Sequence, residues 1–481
     1  MNICLFYKLP LLDNSFIKGL QDFTNYFIKK KYNLIILTEK VEDKKNLAKI
    51  NLDSSIKLYS IDENIDNLVS YDEHVINEYN DKYKNTKLLQ ERLSILTSPR
   101  SKFFKHENNF ENLLVSHLKF LENLLVTNKI NYIFSAIINS YQTYNHSILE
   151  NYAIKNDVRF LIYQIPIQRS RVYDNQLRVS EEVNSNYEKN LQNGLTEDQR
   201  KKTLEFLREH EASLNSNEYY DYVYQKESLK KKIKSFNKLK KYIKTKTENR
   251  LKTLLMPNIK KINFIRKEDI KTNYSILILN KHNNYRLLKF SPFFSNPSHL
   301  VRSISLSLPM NHQLLIKLHP HDTTINITNP DLVNEVSLHH NVKFLDPKTN
   351  FTKIIKKSSI VFASSSTSAI IEALIFYKHV ITFGNDLHHI GKYKAPIQRI
   401  INLEDLKNTI DYCLNNEIDK EKILFFMNAF LKGSYSRYDD NWLSKLSYED
   451  GEQRVDIMYV KAAERLEKYI FNFNNKINTN L

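Results

Sequence analysis

Glycine is nearly missing from this chain, with six residues in 481. Neither GxGxxG nor GxxxxGKS/T occurs, which removes the usual phosphate loops of dinucleotide oxidoreductases and P-loop ATPases. HExxH and GxSxG are also absent, so zinc-protease and α/β-hydrolase chemistry have no support. Cysteine is scarcer still. Cys4 and Cys413 build no disulfide framework and no CxxC or Cys/His metal spacing, and they fit a reducing compartment. No apolar run approaches the ~18–20 residues of a membrane span. The opening Met1-Asn-Ile-Cys-Leu-Phe-Tyr-Lys8 has no basic residues ahead of its short apolar run and reads as a β-strand, not a signal peptide. The expectation is a soluble cytoplasmic protein or one held peripherally on a surface.

Acidic residues are in deficit. Lys and Arg number 71 against 54 Asp and Glu, a net charge of +17. Such a balance favours a polyanionic partner: nucleic acid, anionic lipid or acidic polysaccharide. The abundance of Lys, Asn, Ile and Tyr is also what an AT-rich genome would encode, which accounts for part of the excess. With 41% apolar residues the chain is globular and long enough for two or three domains.

Hydrophobic patterning alternates between strand and helix. Asn2–Tyr7 and Leu34–Leu37 read as strands around a helix over Phe16–Lys30, with a further short strand at Ile56–Ser60. Glu111–Asn128 is an amphipathic helix, Asn131–Ala136 a strand, Tyr144–Asn156 a helix and Arg159–Gln164 a strand. This alternation predicts a parallel sheet over residues 1–185. Residues 186–268 form a charged helical segment. From Lys226 to Lys261 the only acids are Glu227 and Glu248, while Leu229, Ile233, Phe236, Leu239 and Ile243 recur at helical spacing up to a stop at Pro257. The segment reads either as a solvated helix packing its apolar stripe on the domains or, over 226–256, as a basic amphipathic helix on an anionic membrane. Residues 269–418 alternate again, from the strand Tyr274–Leu279 to the helix Glu404–Leu414, and residues 419–481 read as C-terminal helices.

The stretch from His312 to Gly391 carries the most chemistry. The strand Gln313–Leu318 leads into His319-Pro320, so an apolar run delivers His319 to a turn that Pro320 fixes. A second strand, Ile360–Ala363, leads into Ser364-Ser-Ser-Thr367 at the start of a helix. One hydroxyl suffices for an N-cap, and four in a row exceed that need. With backbone N–H groups and the helix dipole they suit a diphosphate or phosphodiester. Glu372 lies within that helix, where it accepts ribose hydroxyls or merely sits at the solvent edge. Both strand ends fall on the edge of the sheet where α/β folds hold ligands. Together these residues suggest a nucleotide-sugar site.

Lys317-Leu-His-Pro320, Ser364-Ser-Ser-Thr-Ser-Ala-Ile-Ile-Glu-Ala-Leu374 and Val380-Ile-Thr-Phe-Gly384 resemble the bacterial capsule polysaccharide biosynthesis family, which includes β-Kdo transferases. Phe290-Ser-Pro-Phe-Phe294, Leu300-Val301 and Leu308-Pro309 are similar to the lead-in of that motif, and a related His-Pro and serine arrangement recurs in bacterial sialyl- and polysialyltransferases. The resemblance covers roughly residues 274–411. It implies an α/β, GT-B-like fold: two Rossmann-like domains facing across a cleft, with C-terminal helices packing back on the first domain; the basic helical insertion is read from composition and apolar spacing alone. It implies a glycosyltransferase that uses a CMP-sugar such as CMP-Kdo or CMP-sialic acid. On this carry-over His319, with Pro320 behind it, contacts the donor phosphate. Ser364, Ser365, Ser366 and Thr367 hold that phosphate, Lys317 adds positive potential, and Glu372 approaches the ribose. The acidic tripeptide of the sialyltransferases has its only counterpart at Glu449-Asp450-Gly451, close to the C-terminal end, which departs from that subgroup.

A CMP-sugar carries its own leaving group, so the enzyme has to stabilise departing charge and orient an acceptor hydroxyl. Neither a metal nor another cofactor is expected, and no DxD-type motif stands beside a strand end. The acceptor base is expected from the first domain: Glu150 or Asp174, with His146 another option. Arg169 and Arg171 beside Asp174 suit an anionic acceptor or the donor carboxylate, and Tyr173 suits a sugar ring. The partners expected are a nucleotide sugar, a glycan or glycolipid acceptor and an anionic membrane surface met by 226–256, at the inner face of the bacterial plasma membrane. No nucleic acid is expected, because the basic run lacks interleaved aromatics and a known fold motif. The competing class is a non-catalytic protein that tethers an anionic glycan or lipid to a capsule assembly complex.

Overall fold

The computed structural model describes residues 2–7, 14–65, 70–83, 110–136, 144–164, 171–173, 176–215, 264–265, 269–270, 273–279, 291–318, 330–346, 349, 351–364, 368–384, 396–432 and 467. The chain divides into two compact units, residues 1–186 with 430–481, and residues 187–429.

The first unit is built on six strands: β1 (Asn2–Tyr7), β2 (Asn33–Thr38), β3 (Lys57–Ser60), β4 (Tyr132–Ala136), β5 (Arg159–Gln164) and β6 (Arg171–Tyr173). Their spatial order is β3-β2-β1-β4-β5-β6. All pairings are parallel except that of β6, which runs antiparallel to β5 at the edge. Helices α1 (Asn14–Lys29), α2 (Val41–Leu47), α3 (Asp62–Ile65), α4 (Glu73–Lys82), α5 (Phe110–Thr127) and α6 (Tyr144–Lys155) intervene. Phe23 and Phe27 of α1 pack against Phe134 of β4 in a core with Ile3, Leu5, Leu34 and Ile36. Each such side chain, fully buried, stabilises the fold by about 1.5–3 kcal/mol. Glu467 accepts a hydrogen bond from the Tyr26 hydroxyl and pairs with Lys30 at 3.1 Å, so a C-terminal residue docks on α1 within this unit.

The second unit holds β7 (Phe264–Ile265), β8 (Tyr274–Ile278), β9 (Gln313–Lys317), β10 (Val342–Leu345), β11 (Ile360–Ala363), β12 (His379–Phe383) and β13 (Ile397–Ile400). All pair in parallel, in the order β13-β12-β11-β8-β9-β10-β7. Every residue of β8, β9, β11 and β12 is buried, the pattern of a sheet covered on both faces. Leaving out β7, both units run 3-2-1-4-5-6 in space, the doubly wound Rossmann order. The fold is α/β with two Rossmann-like units in one chain, the domain composition of a GT-B-like protein.

Helices α7 (Gln176–Asn193) and α8 (Glu197–Asn215) differ from the expected independent segment over 186–268. From residue 187 onward they belong to the second unit. Asn190 donates to the Phe425 carbonyl at 2.9 Å, Asn428 donates to the Thr203 hydroxyl at 3.2 Å, and Arg200 grips Glu421 through two bonds of 2.7 and 2.6 Å. The partner helix is α14 (Lys420–Lys432). The buried face of α8, with Phe206, Leu207 and Leu214, decides its placement. The basic stretch 226–256 and the helix expected over Val455–Phe471, Glu467 excepted, lie outside the described residues.

Glycine poverty shows in the turns. Lys31, Lys129, Asp157 and Tyr377 have φ of 62°, 47°, 51° and 54°, each just past a helix and before a strand. In all four the next amide reaches back to close the turn: Tyr32 to Phe27, Ile130 to Leu125, Val158 to Ala153 and Lys378 to Ala373, at 2.9–3.0 Å. This is the Schellman closure that glycine normally serves.

Candidate functional site

Apart from the edge strand β7, the chain of the second sheet starts at β8, proceeds outward through β9 and β10, then returns to β8's other side at β11 and moves outward through β12 and β13. The strand order therefore reverses between β8 and β11, and in such sheets ligands bind at the carboxyl ends of the strands beside that reversal. Register defines the edge. Ile278, the last residue of β8, pairs with Lys317 on one side and with Ala363 on the other. Lys317 ends β9 and Ser364 directly follows β11, so two of the polar residues singled out by sequence stand on either side of β8 at the ligand edge.

Lys317 is 5% exposed. Burial strips water from its ammonium and pushes its pKa down to about 8, while the Asp346 carboxylate opposes the shift. Asp346 follows β10 on the same edge and was not singled out by sequence reasoning; its signal was the Asp-Pro step after an apolar strand. Ser364 is 1% exposed, and its amide and its hydroxyl both donate to the Ile278 carbonyl at 3.4 Å. Its side chain thus ties β11 to β8 immediately ahead of the hydroxyl-rich stretch of sequence. His319, Pro320, Ser365, Ser366 and Thr367 lie outside the described residues.

Helix α12 (Ser368–Ile375) packs on β11, β12 and α8. Glu372 is 5% exposed among the buried Ile370, Ile371, Ala373 and Leu374. The solvent-edge placement considered for it is overturned, since a helix buried nearly all round has no solvent edge there.

Two further residues shape the same edge. The buried Ser291 hydroxyl donates to the carbonyl of Phe383, the last residue of β12, at 2.5 Å. Arg399 of β13 donates its Nε–H to the next carbonyl, Gly384, at 2.7 Å. Gly384 has φ of 85° and its amide donates to Ile400 at 3.2 Å. A left-handed residue in this turn accommodates glycine without strain. Sequence reasoning passed over both side chains. Ser291 had a signal in the Phe-Ser-Pro run, whereas Arg399 had none.

In the first unit, Glu150 is 2% exposed and sits in the body of α6 with Leu149, Asn151 and Tyr152. Arg171 and Tyr173 belong to the edge strand β6, where Arg171 pairs with Gln164 and Tyr173 with Ile162. Arg169 and Asp174 lie outside the described residues. Among the described residues no group of three or more His, Cys, Asp or Glu side chains is arranged to hold a metal, and no helix is long and apolar enough to cross a membrane.

Residues 164–391 match the family model described as capsule polysaccharide biosynthesis protein, slightly under half of the chain and including the whole edge from Ser291 to Gly384. No curated protein matches the chain. Among solved structures it is similar to UDP-GlcNAc 2-epimerase from Methanocaldococcus jannaschii, at 12% identity over 90% of this chain and 98% of that one, with a TM-score of 0.26. It is also similar to CalG4, the calicheamicin glycosyltransferase, at 9% identity over 97% and 98% with a TM-score of 0.30. A third is WaaG, a glycosyltransferase involved in lipopolysaccharide biosynthesis, at 10% identity over 96% and 99% with a TM-score of 0.28. Likeness at this level carries no argument, and the fold assignment rests on the strand orders.

Proposed function

We propose that this chain is a glycosyltransferase of capsule or other surface-polysaccharide synthesis, moving Kdo or sialic acid from a CMP-sugar to a glycan or glycolipid acceptor. The observation that carries the reading is the placement of Lys317 and Ser364 on the two sides of β8, at the strand-order reversal and inside the stretch that matches the capsule family model. That edge favours a phosphate, because a buried cation and the start of α12 both supply positive potential there.

In this reading His319 and Lys317 face the phosphate of CMP, Ser365, Ser366 and Thr367 donate to it, and Glu372 receives the ribose hydroxyls. Ser364 holds the turn by its bond to Ile278. The bond between the anomeric carbon and the phosphate oxygen breaks, and its electron pair leaves with CMP. The acceptor hydroxyl attacks the anomeric carbon, and its proton passes to a carboxylate of the first unit, Asp174 or Glu150. Arg169 and Arg171 meet the carboxylate of donor or acceptor, and Tyr173 meets a sugar ring. No metal is assigned a role in this scheme. The positive potential stabilises the leaving charge as it develops, the interaction that accelerates such a step most.

The test is incubation of the full chain with CMP-Kdo, CMP-sialic acid and UDP-sugars in the presence of glycan and glycolipid acceptors, with free nucleotide as the readout. Release of CMP from one CMP-sugar supports the reading. Turnover of no nucleotide sugar, together with no nucleotide binding, sinks it. The +17 charge favours a second reading, a non-catalytic tether for anionic glycan or lipid that meets an anionic membrane through 226–256. Vesicle binding that is lost on deleting 226–256, in a chain that binds no nucleotide, would establish that alternative.

A further inference from the structure

The ligand edge carries an aromatic ring that the assignments above leave unused. Phe293 is 92% exposed, in a short 3-10 turn over Pro292–Phe294. Both of its anchors end on one residue of the sheet. On one side, Ser291 donates to the Phe383 carbonyl at 2.5 Å. On the other, Phe294 is buried with its ring 5.3 Å from that of Phe383. The turn is closed by the Phe294 amide donating to the Ser291 carbonyl at 3.0 Å, and Asn296 caps the helix that follows, with its side chain accepting from the Ser298 amide at 2.9 Å. The backbone that carries Phe293 is therefore held on the sheet while its ring stands in solvent.

Phe383 is itself at the ligand edge. Ala363 of β11 pairs with Thr382 of β12, so Ser364 and Phe383 stand level on neighbouring strands, about 4.8 Å apart. The exposed ring is thus anchored one strand from Ser364. A large apolar side chain left in water on a rigid mount fits a flat partner that arrives only with the ligand. Bases stack on such rings whatever their hydrogen-bonding pattern.

We propose that Phe293 is a stacking platform for the nucleobase of the donor, with Ser291 and Phe294 as the positioning residues that hold it at the ligand edge beside Ser364. The inference rests on the nucleotide-sugar reading above and adds a binding residue to it.

The test is titration of the full chain with CMP and with UDP, comparing wild type, Phe293→Ala and Phe293→Trp, with the unfolding midpoint as a control for the fold. The expected result is nucleotide binding weakened about tenfold in Phe293→Ala, wild-type affinity in Phe293→Trp and no change in unfolding midpoint for either. Unchanged binding in Phe293→Ala overturns the platform and leaves the functional reading standing. Equal weakening in Phe293→Trp also overturns it, since a stacked base needs only a flat ring. Absence of binding of either nucleotide to wild type overturns the functional reading and the platform together.

Discussion

The Ser364 hydroxyl and the Ser364 amide share one acceptor, the carbonyl of Ile278, each at 3.4 Å. Two strands that diverge in chain order are thereby joined at their carboxyl ends. Bonds of this length are weak. Ser364→Ala is expected to lower stability by no more than about 1 kcal/mol and to weaken nucleotide binding only a few-fold. Denaturant unfolding and CMP titration check both. A hundredfold loss of binding would show instead that the hydroxyl touches the ligand.

Lys317 titrates near 8, in a range where the phosphate of CMP no longer changes charge, its second ionisation lying near 6. Nucleotide affinity is therefore expected to fall as pH rises through about 8 and the ammonium is lost. Lys317→Met should bind weakly with no such step, and Lys317→Arg should keep the affinity without it. The sign for stability is the reverse. Between about 8 and the unfolded value of about 10.4, the unfolded chain holds a proton the folded one has lost, so this group's contribution to stability rises with pH.

His319→Ala is expected to reduce kcat/KM by the equivalent of about 2–4 kcal/mol, the usual loss when one donor to a developing anion is removed. Steady-state release of CMP measures it, and near-normal turnover would refute the role assigned to this imidazole.

Glu335 of helix α10 (Pro330–Leu338) accepts two bonds from Arg302, at 2.9 and 2.6 Å, and meets His339 at 2.8 Å. These partners hold its pKa down to about 2. A depressed carboxylate stabilises the fold above its unfolded pKa, and that contribution is lost as pH falls toward the folded value. Glu335→Gln should lower the unfolding midpoint at neutral pH, and its difference from wild type should shrink from about pH 4.5 down to about 2. Thermal unfolding across that range reads the difference, and a gap that persists at the acid end would exclude the ionised pair as its source.

Lys129 closes the turn after α5 at φ 47°, a conformation that a side chain disfavours by about 1–2 kcal/mol. Lys129→Gly relieves that strain but adds freedom to the unfolded chain, and a net gain of about 0.5–1 kcal/mol is expected from denaturant unfolding. A loss would mean that the lysine side chain contributes a contact of its own.

Much of the architecture was legible because a parallel sheet announces itself by apolar runs spaced by amphipathic helices. Leu34–Leu37, Ile56–Ser60, Arg159–Gln164 and Gln313–Leu318 all read as strands and are strands. Three elements were not legible. Phe264–Ile265 and Arg171–Tyr173 carry too few residues to show a period, and Ile397–Ile400, no shorter than the legible Ile360–Ala363, has two polar residues in its middle. The helix Glu197–Asn215 was legible as charged and helical, but not the face it buries. Its sequence is dominated by exposed charge, while Thr203, Phe206 and His210 on the other side are buried.

At the candidate site, the residue types that suit a phosphate and their order along the chain were set by local sequence: a lysine and histidine after one strand, and a row of alcohols between a strand and a helix. Local chemistry can specify these because a strand end and a helix start are built from neighbouring residues. Which strand lies beside which was decided only in three dimensions. The pairing of Ile278 with both Lys317 and Ala363, the grip of Ser291 and Arg399 on the end of β12, and the burial of Glu372 and Glu150 all join segments far apart in the chain. Such contacts depend on the packing of the whole sheet, and no window of sequence contains them.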